Sequence, residues 1–468
     1  MKERKQKRLA LANHHHQMNS TECDRYDGVQ TFMGIESNNL VEVVFTEERV
    51  LEYILTPVNL NRSYQKVVFN KGVAGVDGMA VEELLLYLKE HKDELLRSLE
   101  EGLYRPQPVL RVEIPKDEHS TRSLGIPTVV DRLIQQAIST FLTSFYDKTF
   151  SLTSYGFRPR RSAHDAIRKV ESLSNAGYEY VVDLDLEKFF DTVNHSKLIQ
   201  LLSTRIKDGR VISLIHRFLR SGVVVNGKFE KTNQGLPQGS PLSPLLSNIM
   251  LNELDKELDK RGLKYVRYAD DCMILSKSKR SAERIMSGIS KFIETNLYLK
   301  VNQSKTSVGY LRGKKFLGYS FYKWMKVWKI SAHPKSLSTM KSKLKSITSR
   351  SNGWSYEKLK TKLKSFIVGW VDYFYLANMK SHIEKIDEWL RRRIRMCIWK
   401  RWKRVRTKFA NLKKCGIHKN QAWQWANTRK GYWRISDSWI LHRAINTEKL
   451  QLSGYPSLKI CFGKYYRK

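Results

Sequence analysis

Lys264-Tyr-Val-Arg-Tyr-Ala-Asp-Asp-Cys-Met-Ile-Leu275 is the stretch on which the fold turns. Apolar strand formers flank two adjacent acids, Asp270 and Asp271. Carboxylates in such surroundings are costly unless they are paired or bind a metal. The stretch therefore predicts a β-hairpin whose turn presents carboxylates to a divalent ion. An Asp-rich turn without function would carry the same dipeptide, so the rest of the chain must decide.

Two-metal phosphoryl transfer needs carboxylates that bridge ions about 3.5–4 Å apart. One strand of a hairpin supplies one side only. The best source of the other is Val181-Val-Asp-Leu-Asp-Leu-Glu-Lys-Phe-Phe-Asp191, an apolar strand that runs into acids. Asp183 and Asp185 share one strand face, so spacing does not choose between them. Asp191 reads as a cap of the following segment.

The 468 residues carry a net charge of +38, with a sequence pI of about 9.9. A balance this basic points to a polyanionic partner, nucleic acid before membrane. Leu311–Lys468 holds 39 basic and 7 acidic residues, a net of +32, and all 11 Trp. The first 310 residues are nearly neutral. Basic plus aromatic composition is what grips phosphates and stacks bases. The hydrophobic fraction of 41% supports real cores. Five scattered Cys without a CxxC pair support neither a zinc ribbon nor a disulfide framework. The sequence has no run of 18 apolar residues, so no membrane span is expected, and the basic N-terminus lacks the apolar core of a secretion signal.

Along the chain, residues 1–40 are polar and aperiodic, a leader expected to be poorly ordered. Val41–Leu99 reads mostly as helix, broken by the Gly-rich loop Asn70–Gly78. Leu110–Ile114 is extended between prolines, and Asp131–Phe145 is an apolar-faced helix. Tyr178–Leu186 is a strand, Ser196–Leu219 a helix, and Gly235–Pro244 a loop before a helix from about Leu245 to Leu258. Ile285, Ile289, Phe292, Ile293 and Leu297 mark an amphipathic helix. This order predicts an α+β domain with helices on one face of an antiparallel sheet, followed by a mostly helical last third.

Asp185-Leu-Glu-Lys-Phe-Phe-Asp-Thr-Val-Asn-His195 together with Tyr268–Asp271 resembles a reverse transcriptase of the group II intron-encoded type. Arg122–Arg132, Ser154–Pro159, Pro237–Leu246, Phe316–Tyr319, Gly369–Phe374 and Ala426–Trp433 extend the resemblance from about Asn59 to Tyr465. Ser123 stands where Pro is usual, and Ser240 where Gly is. The resemblance implies a right-hand polymerase, with fingers and palm followed by a helical thumb or maturase domain. Its divisions are leader 1–40; N-terminal extension, fingers and palm 41–315; thumb and maturase 316–408; and a small basic DNA-binding-like segment 409–468.

The resemblance also assigns roles. Asp185, Asp270 and Asp271 would be catalytic and, with Leu186, the metal-contacting positions for two Mg²⁺ ions, which Mn²⁺ can replace. Lys116 and Arg122 would reach the dNTP triphosphate, Gln238 would line the nascent base pair, and Phe190 would be the steric gate under the sugar. Lys305 would protonate the leaving pyrophosphate. Arg391, Arg392, Arg393, Arg395, Lys400, Arg401, Lys403 and Arg404 would contact nucleic acid; on one helix they cannot share a face, so more than one face is expected to meet water or phosphate. The expected activity is RNA-directed DNA polymerisation serving intron splicing and retrotransposition, with intron RNA, template–primer, dNTPs and target DNA as partners, at the nucleoid in a bacterial cytoplasm. Without a Cys/His-rich cluster, the sequence looks like the endonuclease-less, group IIC-like kind. A maturase without catalysis and a domesticated defence reverse transcriptase are the alternatives.

Overall fold

Strand periodicity fails at the chain's most apolar segments, because both faces of those strands are covered. The computed structural model describes residues 31–36, 39–44, 47–115 and 121–465. Its strands are β1 (Thr31–Glu36), β2 (Asn39–Val44), β3 (Val109–Pro115), β4 (Thr121–Ile126), β5 (Tyr180–Leu184), β6 (Val223–Val225), β7 (Lys228–Glu230), β8 (Lys264–Tyr268), β9 (Asp271–Ser276), β10 (Ser307–Tyr310), β11 (Lys315–Phe316), β12 (Tyr319–Trp324) and β13 (Val327–Ala332).

The central sheet has the order β10-β5-β9-β8, antiparallel throughout. Val182, Leu184, Cys272 and Ile274 point into a core shared with helices Ser243–Lys260 and Lys279–Asn296. Val181, Met273 and Leu275 point the other way, into a core shared with helix Ala163–Asn175 and the C-terminal helices. Helices thus lie on both faces, not one, which is why β5 and β9 read as continuous apolar runs.

A second sheet, β4-β3-β6-β7, combines the antiparallel β3–β4 pair with a parallel β3–β6 contact. The β6–β7 turn is Asn226-Gly227, both at positive φ, the pairing that matches strand twist in a tight hairpin. Helix Val129–Asp147 is capped by the Thr128 hydroxyl, which accepts from the Asp131 N–H, and it supplies much of the first core.

Several boundaries differ from expectation. The tail of the supposed leader pairs with the segment after it, β1 on β2, and Val41–Val44 is strand rather than helix. Residues 1–30 lie outside the described residues. Ser196–Leu219 is two helices, His195–Ser203 and Gly209–Leu219, because the Asp208 side chain caps a new start at Gly209. The last third opens with a sheet, β11-β12-β13, before helices Pro334–Ile347, Tyr356–Phe374 and Lys380–Arg401. The division at 315/316 therefore falls inside β11, and that at 408/409 inside helix Val405–Lys414. Among the described residues no helix is long and apolar enough to cross a membrane.

Candidate functional site

Tyr268 pairs with Asp271 at the end of β8–β9, leaving Ala269-Asp270 as a two-residue turn. Ala269 has φ +56°, a conformation that normally favours Gly. The surrounding structure enforces it. Arg267, wholly buried, donates from Nη1 to Ala269 O at 2.9 Å and to Asn248 Oδ1 at 3.0 Å. Its Nε and Nη2 grip the equally buried Asp255 carboxylate at 2.7 and 2.5 Å. Burial alone would lower the Arg267 pKa, but attraction to Asp255 outweighs it and leaves the pKa above its usual value.

Asn248 in turn donates to Gly156 O at 2.9 Å. The segment before Gly156 pairs with β8 through Arg267 N–H to Thr153 O and Tyr155 N–H to Arg267 O, at 2.9 and 2.8 Å. Gly156 then lies so close to the turn that a Cβ on it would be 2.2 Å from Ala269 N. The turn is clamped from one side by a buried ion pair and from the other by backbone contact.

Across the sheet, Leu184 pairs with Cys272, so Asp185 emerges one residue beyond the β5 ladder and beside Asp271. The loop after helix Lys279–Asn296 holds Asp185 in place: Asn302 N–H donates to its carbonyl at 2.9 Å, and its own N–H donates to Thr306 Oγ1 at 3.2 Å. Lys305 Nζ stands 4.0 Å from Asp185 Oδ1. Asp271 opens toward solvent along one edge but is walled by protein elsewhere. That desolvation, followed by the charges of Asp270, Asp183 and Asp185, pushes its pKa up to about 6. Asp183 is raised by burial and by Asp185, against the pull of Lys314. The four acids therefore form one electrostatic neighbourhood.

Among the described residues no group of three or more His, Cys, Asp or Glu side chains converges tightly enough to hold a metal by itself. Mg²⁺ usually takes one or two protein carboxylates and completes its shell with water and substrate phosphates. A cluster in which burial, followed by the neighbouring carboxylates, pushes the Asp271 pKa up fits that requirement. Leu186 is buried and bridged to Val301, and can offer only its backbone carbonyl.

A cavity of about 280 Å³ is lined by Phe190 and Gln238 together with Arg111, Ser123 and Gly222. Arg122 Nε donates to Gln238 Oε1 at 2.7 Å, so two residues 116 positions apart meet here. The Gly125 N–H donates to Gln238 O at 2.6 Å, and Gly239 holds φ +115° where a Cβ would come 2.8 Å from Gly125 O. Phe190 is half-buried and packs edge-on against buried Phe189. Lys116 lies outside the described residues. Asp191 does not cap the next helix; Asn194 does, accepting from Lys197 N–H at 2.9 Å. Both family departures have partners: Ser123 Oγ accepts from Arg111 at 2.8 Å, and buried Ser240 donates to Gln135 Oε1 at 2.6 Å.

Several side chains of the basic run in the last third reach acids, carbonyls and rings of neighbouring segments while most stay at least partly exposed. Arg391 bridges buried Asp387 at 2.8 Å. Arg392 pairs with Asp437 at 2.8 Å and lies 3.9 Å above the Trp433 ring. Arg393 donates to Thr348 Oγ1, Thr348 O and Lys345 O, satisfying the carbonyl end of helix Pro334–Ile347. Arg395 is buried on Ile445 O, Lys400 reaches Arg350 O, and Arg401 covers the Tyr356 ring. Lys403 and Arg404 are exposed. Guanidinium forks bind carbonyls and aromatic faces well enough to serve as internal ties between helices.

Sequence reasoning missed Arg267, Asp255, Asn248 and Gly156. One signal was present: an Arg in the middle of the apolar strand Lys264–Tyr268 needs a buried acid.

Residues 114–321 match the family described as reverse transcriptase (RNA-dependent DNA polymerase), and residues 337–416 the group II intron, maturase-specific domain. The chain is 37% identical over 207 residues to group II intron-encoded protein LtrA of Lactococcus lactis subsp. cremoris, covering 44% of this chain and 34% of LtrA. It is 34% identical over 317 residues to protein YkfC of Escherichia coli (strain K12), covering 58% of this chain and 82% of YkfC. The match thus spans about a third of LtrA and most of YkfC. A chain of a solved partial Cas6-RT-Cas1–Cas2 complex matches with 25% identity and a TM-score of 0.35, over 55% of this chain and 45% of that one.

Proposed function

Because the chain belongs to the group II intron reverse transcriptase/maturase family, we infer that it copies RNA into DNA and binds its intron RNA to assist splicing and retrotransposition. The observation that carries this reading is the clamped Ala269-Asp270 turn, which brings Asp270 and Asp271 beside Asp185 across β5 and β9. A protein that only bound RNA would gain nothing from a cluster of acids in which burial and then neighbouring carboxylates push the Asp271 carboxyl up to about 6. They would repel phosphate.

Asp185, Asp270 and Asp271, with Asp183 behind them, would hold divalent ions, and we assign Mg²⁺. A divalent ion held there would supply Lewis-acid activation of the primer hydroxyl and charge stabilisation for the leaving pyrophosphate. The chain's own contributions are positional. Arg122 and Gln238 hold each other at the edge of the cleft and would meet the incoming nucleotide. Phe190, which lines the cavity, would sit under the sugar and exclude a 2′-hydroxyl. Lys305, 4.0 Å from Asp185, would donate a proton to the leaving group. The net +32 of Leu311–Lys468 would bind intron RNA or the template–primer duplex through phosphates and shape. Action on DNA and RNA together fits a protein that works at the nucleoid of a bacterial cell.

Primer extension on an RNA template with dNTPs and Mg²⁺ tests this, comparing the native chain with Asp270→Ala. Extension by the native chain alone is the expected result. If neither extends, yet both bind structured RNA, the chain is a maturase without catalysis.

A further inference from the structure

A second cavity, of about 420 Å³, lies between helices Pro334–Ile347 and Lys380–Arg401 and is also lined by Trp433. It belongs to the last third of the chain and is separate from the acid site. Lys341 and Lys345 line it from one helix and Trp389 and Arg393 from the other.

Two features of this pocket are unexplained by folding alone. The first is charge. Lys341 and Lys345 stand one helical turn apart, where like charges repel. Neither has an ion pair among the described residues, and no acid lines the cavity. Arg393 adds a third cation, already anchored on Thr348. The second is aromatic surface. Trp389 carries Lys341 Nζ at 5.2 Å and Arg393 at 5.3 Å from its ring centre. Trp433 is stacked by Arg392 at 3.9 Å yet remains 38% exposed. Ser342 adds a hydroxyl between the lysines. Arg392 is neutralised by Asp437, but Lys341, Lys345 and Arg393 beside the indole rings have no acid lining the cavity with them, which suits a ligand that is anionic at one end and flat at the other.

We propose that this pocket holds one unpaired nucleotide of a nucleic-acid strand, its base against Trp433 and Trp389 and its phosphate on Lys341 and Lys345. A base drawn out of a helix exposes a flat face for stacking, while its flanking phosphates stay on the strand. The pocket is large enough for one base and its sugar, and too small for a duplex. It would register the strand at a fixed distance from the polymerising acids. The proposal rests on the nucleic-acid-binding reading given above.

The test is binding of the full chain to two RNA hairpins, one fully paired and one carrying a single 2-aminopurine bulge. The bulged hairpin is expected to bind roughly tenfold or more tightly, with its fluorescence quenched by stacking. Trp433→Ala should remove that preference and the quench, leaving the paired hairpin's affinity in place. Lys341→Ala/Lys345→Ala, on an exposed helix face, should weaken the bulged hairpin and lower the salt slope by about 1–2. A deoxy version of the bulge distinguishes the sources: equal affinity assigns the pocket to DNA as well, weaker affinity to RNA alone. Equal binding of both RNA hairpins by the native chain, or a preference that survives Trp433→Ala and the double lysine variant, overturns the pocket while leaving RNA binding standing. Failure of the native chain to bind either hairpin overturns both readings.

Discussion

Gly156→Ala is the sharpest single test of how the Ala269-Asp270 turn is held. The new Cβ would sit 2.2 Å from Ala269 N, where ordinary contact begins at 3.4 Å, so one backbone must retreat by about 1.2 Å. Neither has an easy path. The Gly156 carbonyl is held by Asn248, and Ala269 O by Arg267, itself locked to Asp255. Overpacking of this kind costs about 1–3 kcal/mol of stability. Asp270 follows Ala269 directly, and a displacement near 1 Å at reacting groups lowers the rate on the order of 100-fold. Single-turnover primer extension, with the fold checked by circular dichroism, measures the loss. Gly369→Ala is the control, since nothing lies within 4 Å of that position and helix interiors prefer Ala. A Gly156→Ala protein that is folded and within threefold of the native rate would refute the claim that backbone contact fixes the turn.

Other outcomes rest on the same geometry. Asp255→Ala leaves the Arg267 guanidinium buried without its partner and should cost about 3–5 kcal/mol in urea denaturation; Asp255→Leu/Arg267→Met should recover most of that stability but not the extension rate, because the Ala269 carbonyl stays unheld. An equally active double variant would show that Arg267 serves stability alone. His195 is buried with Nε2 2.8 Å from Gly235 O, and burial holds its pKa below the usual 6.5 or so. Its contribution to stability is therefore complete above about pH 6.5 and is lost as pH falls through the lower folded value. Melting temperature should drop more steeply from pH 7 to 5 in the native chain than in His195→Gln, and parallel curves would rule this out. Phe190→Ala should raise ribonucleotide incorporation, scored by alkali-labile product; unchanged sugar selectivity would remove the gate assignment.

The acids were readable from sequence because chemistry demands them in an improbable setting: Asp270 and Asp271 between apolar strands, and Asp185 at the end of another. Asp183 and Asp185 shared a strand face, and only the register, with Leu184 as the last paired residue, separates the ladder residue from the one beyond it. For the Arg391–Arg404 run, a sequence shows the charge but not the carbonyls and rings that several of its side chains reach. Arg393 on Thr348 and Arg392 on Trp433 are contacts between distant segments. Gly156 was equally silent, since nothing local marks a glycine whose purpose is the approach of a backbone 113 residues away.

The position of β5 has a consequence for synthesis. It lies in the middle of its sheet, yet both partners, β9 and β10, are made after it, the second ending at Tyr310. At about 5–20 residues per second, the 126 residues between Leu184 and Tyr310 take about 6–25 s to emerge. Until then Val181, Val182 and Leu184 have unpaired edges on a strand that is apolar on both faces, the state most prone to join another chain. The half-made chain should therefore depend on holding factors during translation, and on the speed with which the ribosome delivers the hairpin.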